Sequence, residues 1–199
     1  MNPHLILASG SQIRADLLRA AGVPFTVTIP RVDESSIRAA LEAEGASPRD
    51  MADALAEYKA RRVSDRQPGA FVLGCDQILT CDGVIYAKPE SPEDARAQLL
   101  RLRGQRHQLL SAAVIYQDGE PVWRHVGVAR LLMREFSDAY LDDYLARNWD
   151  SLRHAVGGYK LEEEGVRLFS RIEGDHFTIL GLPLLELLAF FNLRGIIAA

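Results

Sequence analysis

His4-Leu5-Ile6-Leu7-Ala8-Ser9-Gly10-Ser11-Gln12-Ile13-Arg14, continued through residues 15–22, passes from an apolar run to an amphipathic stretch within three small residues. The run reads as a buried strand and Ser9-Gly10-Ser11 as a tight turn. Leu17, Leu18 and Ala21 then recur at helical spacing up to Gly22, which stands where a helix C′ residue is expected. Working outward, residues 25–29 read as a second strand and residues 34–44 as a helix. Ser47-Pro48-Arg49-Asp50 opens another helix, running to about Val63, with an N-cap, proline at the first helical position and an acidic third residue.

Residues 71–75 are again strand-like, and Cys81-Asp82-Gly83-Val84 carries the Asp-Gly hairpin signal. Ser91-Pro92-Glu93-Asp94 repeats the helix-opening pattern, and Gly104 ends that helix. Two long strands, residues 107–116 and 121–136, flank a turn at Asp118-Gly119, and Ser137 caps a helix reaching Asn148. Residues 165–171 and 177–180 read as closing strands and residues 183–193 as a final helix. Alternating strands and helices with interposed hairpins predict an α/β fold on a mixed sheet. With no internal repeat and no long linker, one domain spanning residues 1–199 is expected.

The 199 residues are 48% hydrophobic and 25% charged, ordinary globular usage that supports one large domain or two lobes sharing a core. A formal net charge of -4 provides no global positive field, so neither nucleic acid nor an anionic membrane is an expected partner. Two cysteines do not make a disulfide scaffold, no secretory leader is recognisable, and the apolar stretch 182–191 is broken by Pro183 and Glu186. The cytosol is the expected compartment.

At the first turn, backbone N–H groups, two hydroxyls and the Arg14 guanidinium converge where a phosphate can sit, although Ser11 also suits a plain N-cap and Arg14 a solvated first turn. A P-loop spacing is absent. Asp76 is expected directly after an apolar strand, at the carboxyl end where open α/β sheets place ligands. There it either caps a turn, binds Mg²⁺ or takes a proton from water. Glu34 sits at a helix N-terminus, where the macrodipole alone accounts for an acid. Lys59 and Lys88 read as surface cations unless a triphosphate lies near Asp76 and Glu34. In that case Arg14, Lys59, Lys88 and a metal must offset its charge, each about 4 kcal/mol at 4 Å. His107 and His154 have no zinc spacing, and Cys75 reads as a small core residue.

The ordered set matters more than any member. Leu5-Ile6-Leu7-Ala8-Ser9-Gly10-Ser11 with Arg14 and Leu17-Leu18, then Val32-Asp33-Glu34, Lys59-Ala60, Gly74-Cys75-Asp76-Gln77 and Lys88-Pro89, resembles the Maf family of nucleotide pyrophosphatases. Gly104 with His107, and Leu180-Gly181-Leu182-Pro183-Leu184, carry the likeness across nearly the whole chain. The resemblance implies a two-lobed α/β fold on an elongated mixed sheet flanked by helices, with a central nucleotide-binding cleft, in proteins that are often homodimers. It also implies hydrolysis of a nucleoside triphosphate to monophosphate and pyrophosphate with a divalent cation, Mg²⁺ or Mn²⁺. By position Asp76 would be the general base and a metal ligand, with Glu34 helping hold metal or water. Ser11 and Arg14 would hold phosphates, and Lys59 and Lys88 would neutralise them.

The family usually has Ser-Pro-Arg-Arg after the first strand, whereas Ser11-Gln12-Ile13-Arg14 keeps only the second arginine. Ile13, Gln77 and Glu162 are similar to the branch that resembles a 7-methyl-GTP pyrophosphatase rather than the dTTP/UTP branch. The chemistry agrees in direction. A carboxylate such as Glu162 accepts from the adjacent guanine donors N1–H and N2–H₂, and an apolar Ile13 tolerates the positive charge that N7 methylation adds. Glu163 and Glu164 beside Glu162 also allow a solvated charge run. Removal of non-standard nucleotides is the implied purpose, the alternatives being a nucleotide-binding regulator of cell division with little turnover and a pyrophosphatase of the dTTP/UTP type.

Overall fold

The computed structural model describes residues 4–198, and its organising element is strand β1 (Leu5–Ala8), buried along its whole length. It pairs in parallel with β2 (Thr26–Val27) on one side. On the other it pairs with the first part of β3 (Phe71–Cys81), in a register running from Leu5 opposite Phe71 to Ala8 opposite Gly74. The end of β3 turns back antiparallel on β4 (Val84–Tyr86) through Asp82 and Gly83, whose φ of 48° and 80° are those of a type I′ hairpin. With β5 (Arg106–Gln117), β6 (Glu120–Met133) and β7 (Phe169–Glu173) the sheet has seven strands in the order β2-β1-β3-β5-β6-β7, β4 lying off that path on β3. Parallel and antiparallel pairs coexist, as the alternation of helices and hairpins predicts.

Two compact units divide the chain. The first comprises Met1–Gln77, Leu110–Gly127 and His176–Ala199, and the second Ile78–Leu109 and Val128–Asp175. In the first, Leu5, Leu7, Leu73 and Cys75 face one way and share a core with Leu18 of α1 (Gln12–Ala20) and Leu187 and Phe191 of α7 (Leu184–Leu193). Period-two alternation turns Val72, Gly74 and Asp76 to the opposite face. That face receives α3 (Pro48–Ser64), which follows α2 (Glu34–Ala43). In the second unit α4 (Pro92–Leu102) and α5 (Asp138–Leu152) bury Leu99, Leu141 and Tyr144, and His107 lies 2.8 Å from the Tyr159 hydroxyl.

Residues 177–180 do not form the expected strand. They lie in α6 (His176–Ile179) and its exit, with Leu180 N–H bonded to the His176 carbonyl and Gly181 N–H to the Thr178 carbonyl. A four-residue apolar run has no period long enough to separate a strand from one helical turn, and the local bonds decide it. Residues 165–171 likewise open as 3₁₀ turns (Glu164–Leu168) before β7 begins at Phe169.

Candidate active site

Helix α3 starts where its sequence says it should, since Ser47 Oγ accepts from the Asp50 N–H and Pro48 follows the cap. Its buried face carries Ala52, Leu55, Ala56, Lys59, Ala60 and Val63, which puts one ammonium on an apolar stripe. Gly74 of β3 lets that stripe come close. A Cβ at Gly74 would overlap the Ala56 carbonyl oxygen and stand 2.6 Å from the Ala60 nitrogen. Lys59 then reaches Asp76, two residues along the same strand face, with Nζ 2.7 Å from Oδ1.

Asp76 is 5% and Lys59 7% exposed. A second carboxylate meets the same ammonium, Glu34 Oε1 lying 3.1 Å from Nζ at the exposed start of α2. Asp33, capping that helix, is held down to about 2 by the Ser35 hydroxyl first and then by Ser36. Two carboxylates around one ammonium leave a formal charge of minus one, with Asp76 and Lys59 buried and Glu34 at the surface. Among the described residues Asp76 Oδ2 is buried and has no hydrogen-bond partner. No group of three or more metal-ligating side chains occurs among them. The two carboxylates nonetheless suit a hard divalent cation, which takes one or two protein carboxylates and completes its shell with water and phosphate.

Asp76 is not at the end of its own strand, because buried Ile78 and Leu79 carry β3 on to Cys81. It lies instead two residues past Gly74, where the partner strand β1 stops at Ala8. The turn after β1 contains Ser11, the N-cap residue of α1, whose side chain makes no capping bond. Ser9, whose hydroxyl is one of the two expected at this turn, is buried there and accepts from the Ser11 N–H at 3.2 Å and from Arg14 Nη1 at 3.4 Å.

Arg14 is not a solvated first-turn residue. Its Nε donates to the Gly181 carbonyl at 2.8 Å and its Nη1 also to the Cys75 carbonyl at 3.2 Å. Cys75 is a core residue as expected, its thiol pushed up to about 11 by burial, which Arg14 and Lys59 only partly oppose. Gln77 Nε2 donates to Ser111 Oγ at 2.9 Å and to the carbonyls of Ile179 at 3.0 Å and Thr178 at 3.3 Å. Ser111 is fully buried and was legible as the one polar residue in an apolar strand run.

Ile13 is half-buried on α1. The first unit thus assembles Ser9, Ser11, Arg14, Glu34, Lys59, Asp76 and Gln77. Lys88 and Glu162 belong to the second unit, where both are exposed. Beside Glu162, Glu163 bonds Ser151 and Lys160, and Glu164 is held down to about 2 by Arg147 and Asn148. His154 is exposed.

Residues 4–193 match the family described as Maf-like protein. A nucleoside triphosphate pyrophosphatase of Ruegeria pomeroyi is 68% identical over 99% of both chains, and one of Roseobacter denitrificans is 66% identical over 98% of both. One from Caulobacter vibrioides is 52% identical over 95% of this chain and 94% of its own. A solved nucleoside-triphosphatase/dITP/XTP pyrophosphatase from Mycobacterium abscessus is 13% identical, with a TM-score of 0.42 over 96% of this chain and 95% of that one.

Proposed function

The chain belongs to the Maf-like family, and from that premise we propose that it is a nucleoside triphosphate pyrophosphatase in which water attacks the α-phosphorus. The observation that carries the reading is the Asp76 carboxylate, tied at Oδ1 to Lys59 Nζ at 2.7 Å and without a partner at buried Oδ2. A carboxylate fixed through one oxygen is oriented at the other, which is what a general base acting on a single water requires. As the water oxygen bonds the α-phosphorus, its proton passes to Asp76 Oδ2. The α–β bridging P–O bond breaks, its electron pair departs with pyrophosphate, and the monophosphate remains.

Arg14 keeps Nη2 without a hydrogen bond among the described residues while Nε and Nη1 are anchored, which aims a fixed cation at a phosphate oxygen. Ser11, with its hydroxyl uncommitted to the cap, is a second phosphate contact, and Lys88 a further cation. Asp76 and Glu34 would hold Mg²⁺ or Mn²⁺. When bound, the ion supplies positive charge to the triphosphate and its leaving group.

A modified purine nucleotide, 7-methyl-GTP foremost, is the proposed substrate. Glu162, exposed in the second unit, is the proposed base reader, because Gln77 Nε2 is already engaged within the fold. The same reading makes the chain a single cytosolic domain acting on free nucleotides as a homodimer. No helix among the described residues is long and apolar enough to cross a membrane.

The test is turnover in ¹⁸O-water. Pyrophosphate should be released and the label found in the monophosphate, whereas release of orthophosphate alone overturns the reaction. Across 7-methyl-GTP, GTP, UTP and dTTP, Glu162→Gln should narrow the preference for 7-methyl-GTP by about tenfold, the scale of one base-edge contact. Unchanged relative rates would remove Glu162 as base reader.

A further inference from the structure

Gln77 cannot present an amide donor to a ligand without breaking contacts it already has. Its two Nε2 hydrogens face three oxygens, Ser111 Oγ at 2.9 Å, Ile179 O at 3.0 Å and Thr178 O at 3.3 Å. The orientation of the amide is set by chemistry, since carbonyl oxygens accept and cannot donate. Ser111 Oγ, which accepts from Gln77, in turn donates to the Thr178 carbonyl at 2.7 Å. The Ile179 carbonyl stands at the end of the single turn α6, and the Thr178 carbonyl also accepts from the Gly181 N–H at 3.1 Å.

Three residues on, the Gly181 carbonyl of the same segment accepts from Arg14 Nε at 2.8 Å. Gly181 has φ of 97°, and a Cβ there would stand 3.4 Å from both Nε and Nη2 of Arg14. The backbone of residues 178–181 is therefore gripped by Gln77 and Ser111 at one end and grips Arg14 at the other. All of these groups belong to the first unit.

We propose that Gln77 is a positioning residue. By fixing the Thr178 and Ile179 carbonyls together with Ser111, it holds the Gly181 carbonyl in place and so sets the direction of the Arg14 guanidinium. The kinetic part of this rests on the reading that Arg14 meets a substrate phosphate. Its signature differs from that of base recognition. Loosening Arg14 weakens the grip on a group that every nucleoside triphosphate shares, so all substrates lose alike.

The test pairs kinetics with a measurement needing no substrate. In Gln77→Ala, kcat/KM for 7-methyl-GTP, GTP, UTP and dTTP should fall together by roughly ten- to a hundredfold, the scale of a small misplacement of a catalytic contact. Their ratios should stay within about twofold. In an Arg14→Ala background the same substitution should have almost no further effect. Ser111→Ala should give a smaller loss of the same base-independent kind and serves if Gln77→Ala fails to fold. In ¹⁵N NMR of the ligand-free protein, the Arg14 Nε–H should be protected from solvent exchange and lose that protection in either variant. A change confined to base preference, or losses from Gln77→Ala and Arg14→Ala that multiply, would overturn the proposal. So would protection that survives both variants, even if the wild-type protein hydrolyses none of the four nucleotides. That last kinetic result alone would refute the reaction instead.

Discussion

Lys59 answers two carboxylates with one ammonium, and removing it exposes how much of the buried site depends on charge balance. In Lys59→Met, Asp76 would be left in the interior with no counter-charge, and losing one partner of such a pair destabilises a fold by about 3–5 kcal/mol. Adding Asp76→Asn should recover part of that loss, because the second change removes the uncompensated charge rather than a contact. Urea midpoints of the two single variants and the double variant check this, and a double variant no more stable than Lys59→Met would contradict it. Pyrophosphate release should be lost in all three. Lys59 reads as a surface cation in the sequence and is buried instead, because Ala52, Leu55, Ala56, Ala60 and Val63 put it on the apolar face of α3. Its simultaneous bonds to Glu34 and Asp76 were not legible either, since they join three elements whose spacing no local pattern encodes. Gln77 shows the same limit. The motif marks the residue, but only the carbonyls of Thr178 and Ile179 show which side of its amide is taken.

At the scale of elements, the approach of α3 to β3 is the feature on which the site turns. Gly74→Ala places a methyl group against the Ala56 carbonyl and 2.6 Å from the Ala60 nitrogen, both backbone atoms that cannot rotate away. Helix α3 must shift outward, and overpacking of this kind destabilises by about 1–3 kcal/mol. Lys59 moves with the helix, so Gly74→Ala should lower pyrophosphate release as well as the denaturation midpoint. An unchanged kcat/KM in a destabilised Gly74→Ala protein would show that the approach does not position Lys59. Elements with chemical punctuation were legible. Ser47-Pro48 and Ser91-Pro92 open α3 and α4 as read, and Asp82-Gly83 turns the hairpin with both φ angles positive. Residues 177–180 carried no such punctuation. Their turn is instead stabilised by Gln77 and Ser111, which lie 101 and 67 residues away along the chain from Thr178.

For the whole molecule, the interior imidazole of the second unit links stability to pH. Burial pushes His107 down from 6.5 to about 4 while its ring packs against Tyr159 and Phe169. Between those values the unfolded chain takes up a proton that the folded chain refuses, so stability rises with pH across the window. The contribution is complete above about pH 6.5, declines as pH falls, and levels off below about 4, a total of about 3 kcal/mol for a shift of this size. Glu164, held down to about 2 by Arg147, acts at lower pH, since its stabilisation is present above the ordinary carboxylate value and is lost as pH falls through 2. The His107 effect is therefore separable as a difference between proteins. In His107→Gln the amide can still bond the Tyr159 hydroxyl but cannot titrate. Wild type should be the more stable protein near pH 7.5, and its advantage should shrink steadily toward about pH 4.5 in urea unfolding. Parallel curves for the two proteins would mean that His107 accepts its proton without unfolding the unit around it.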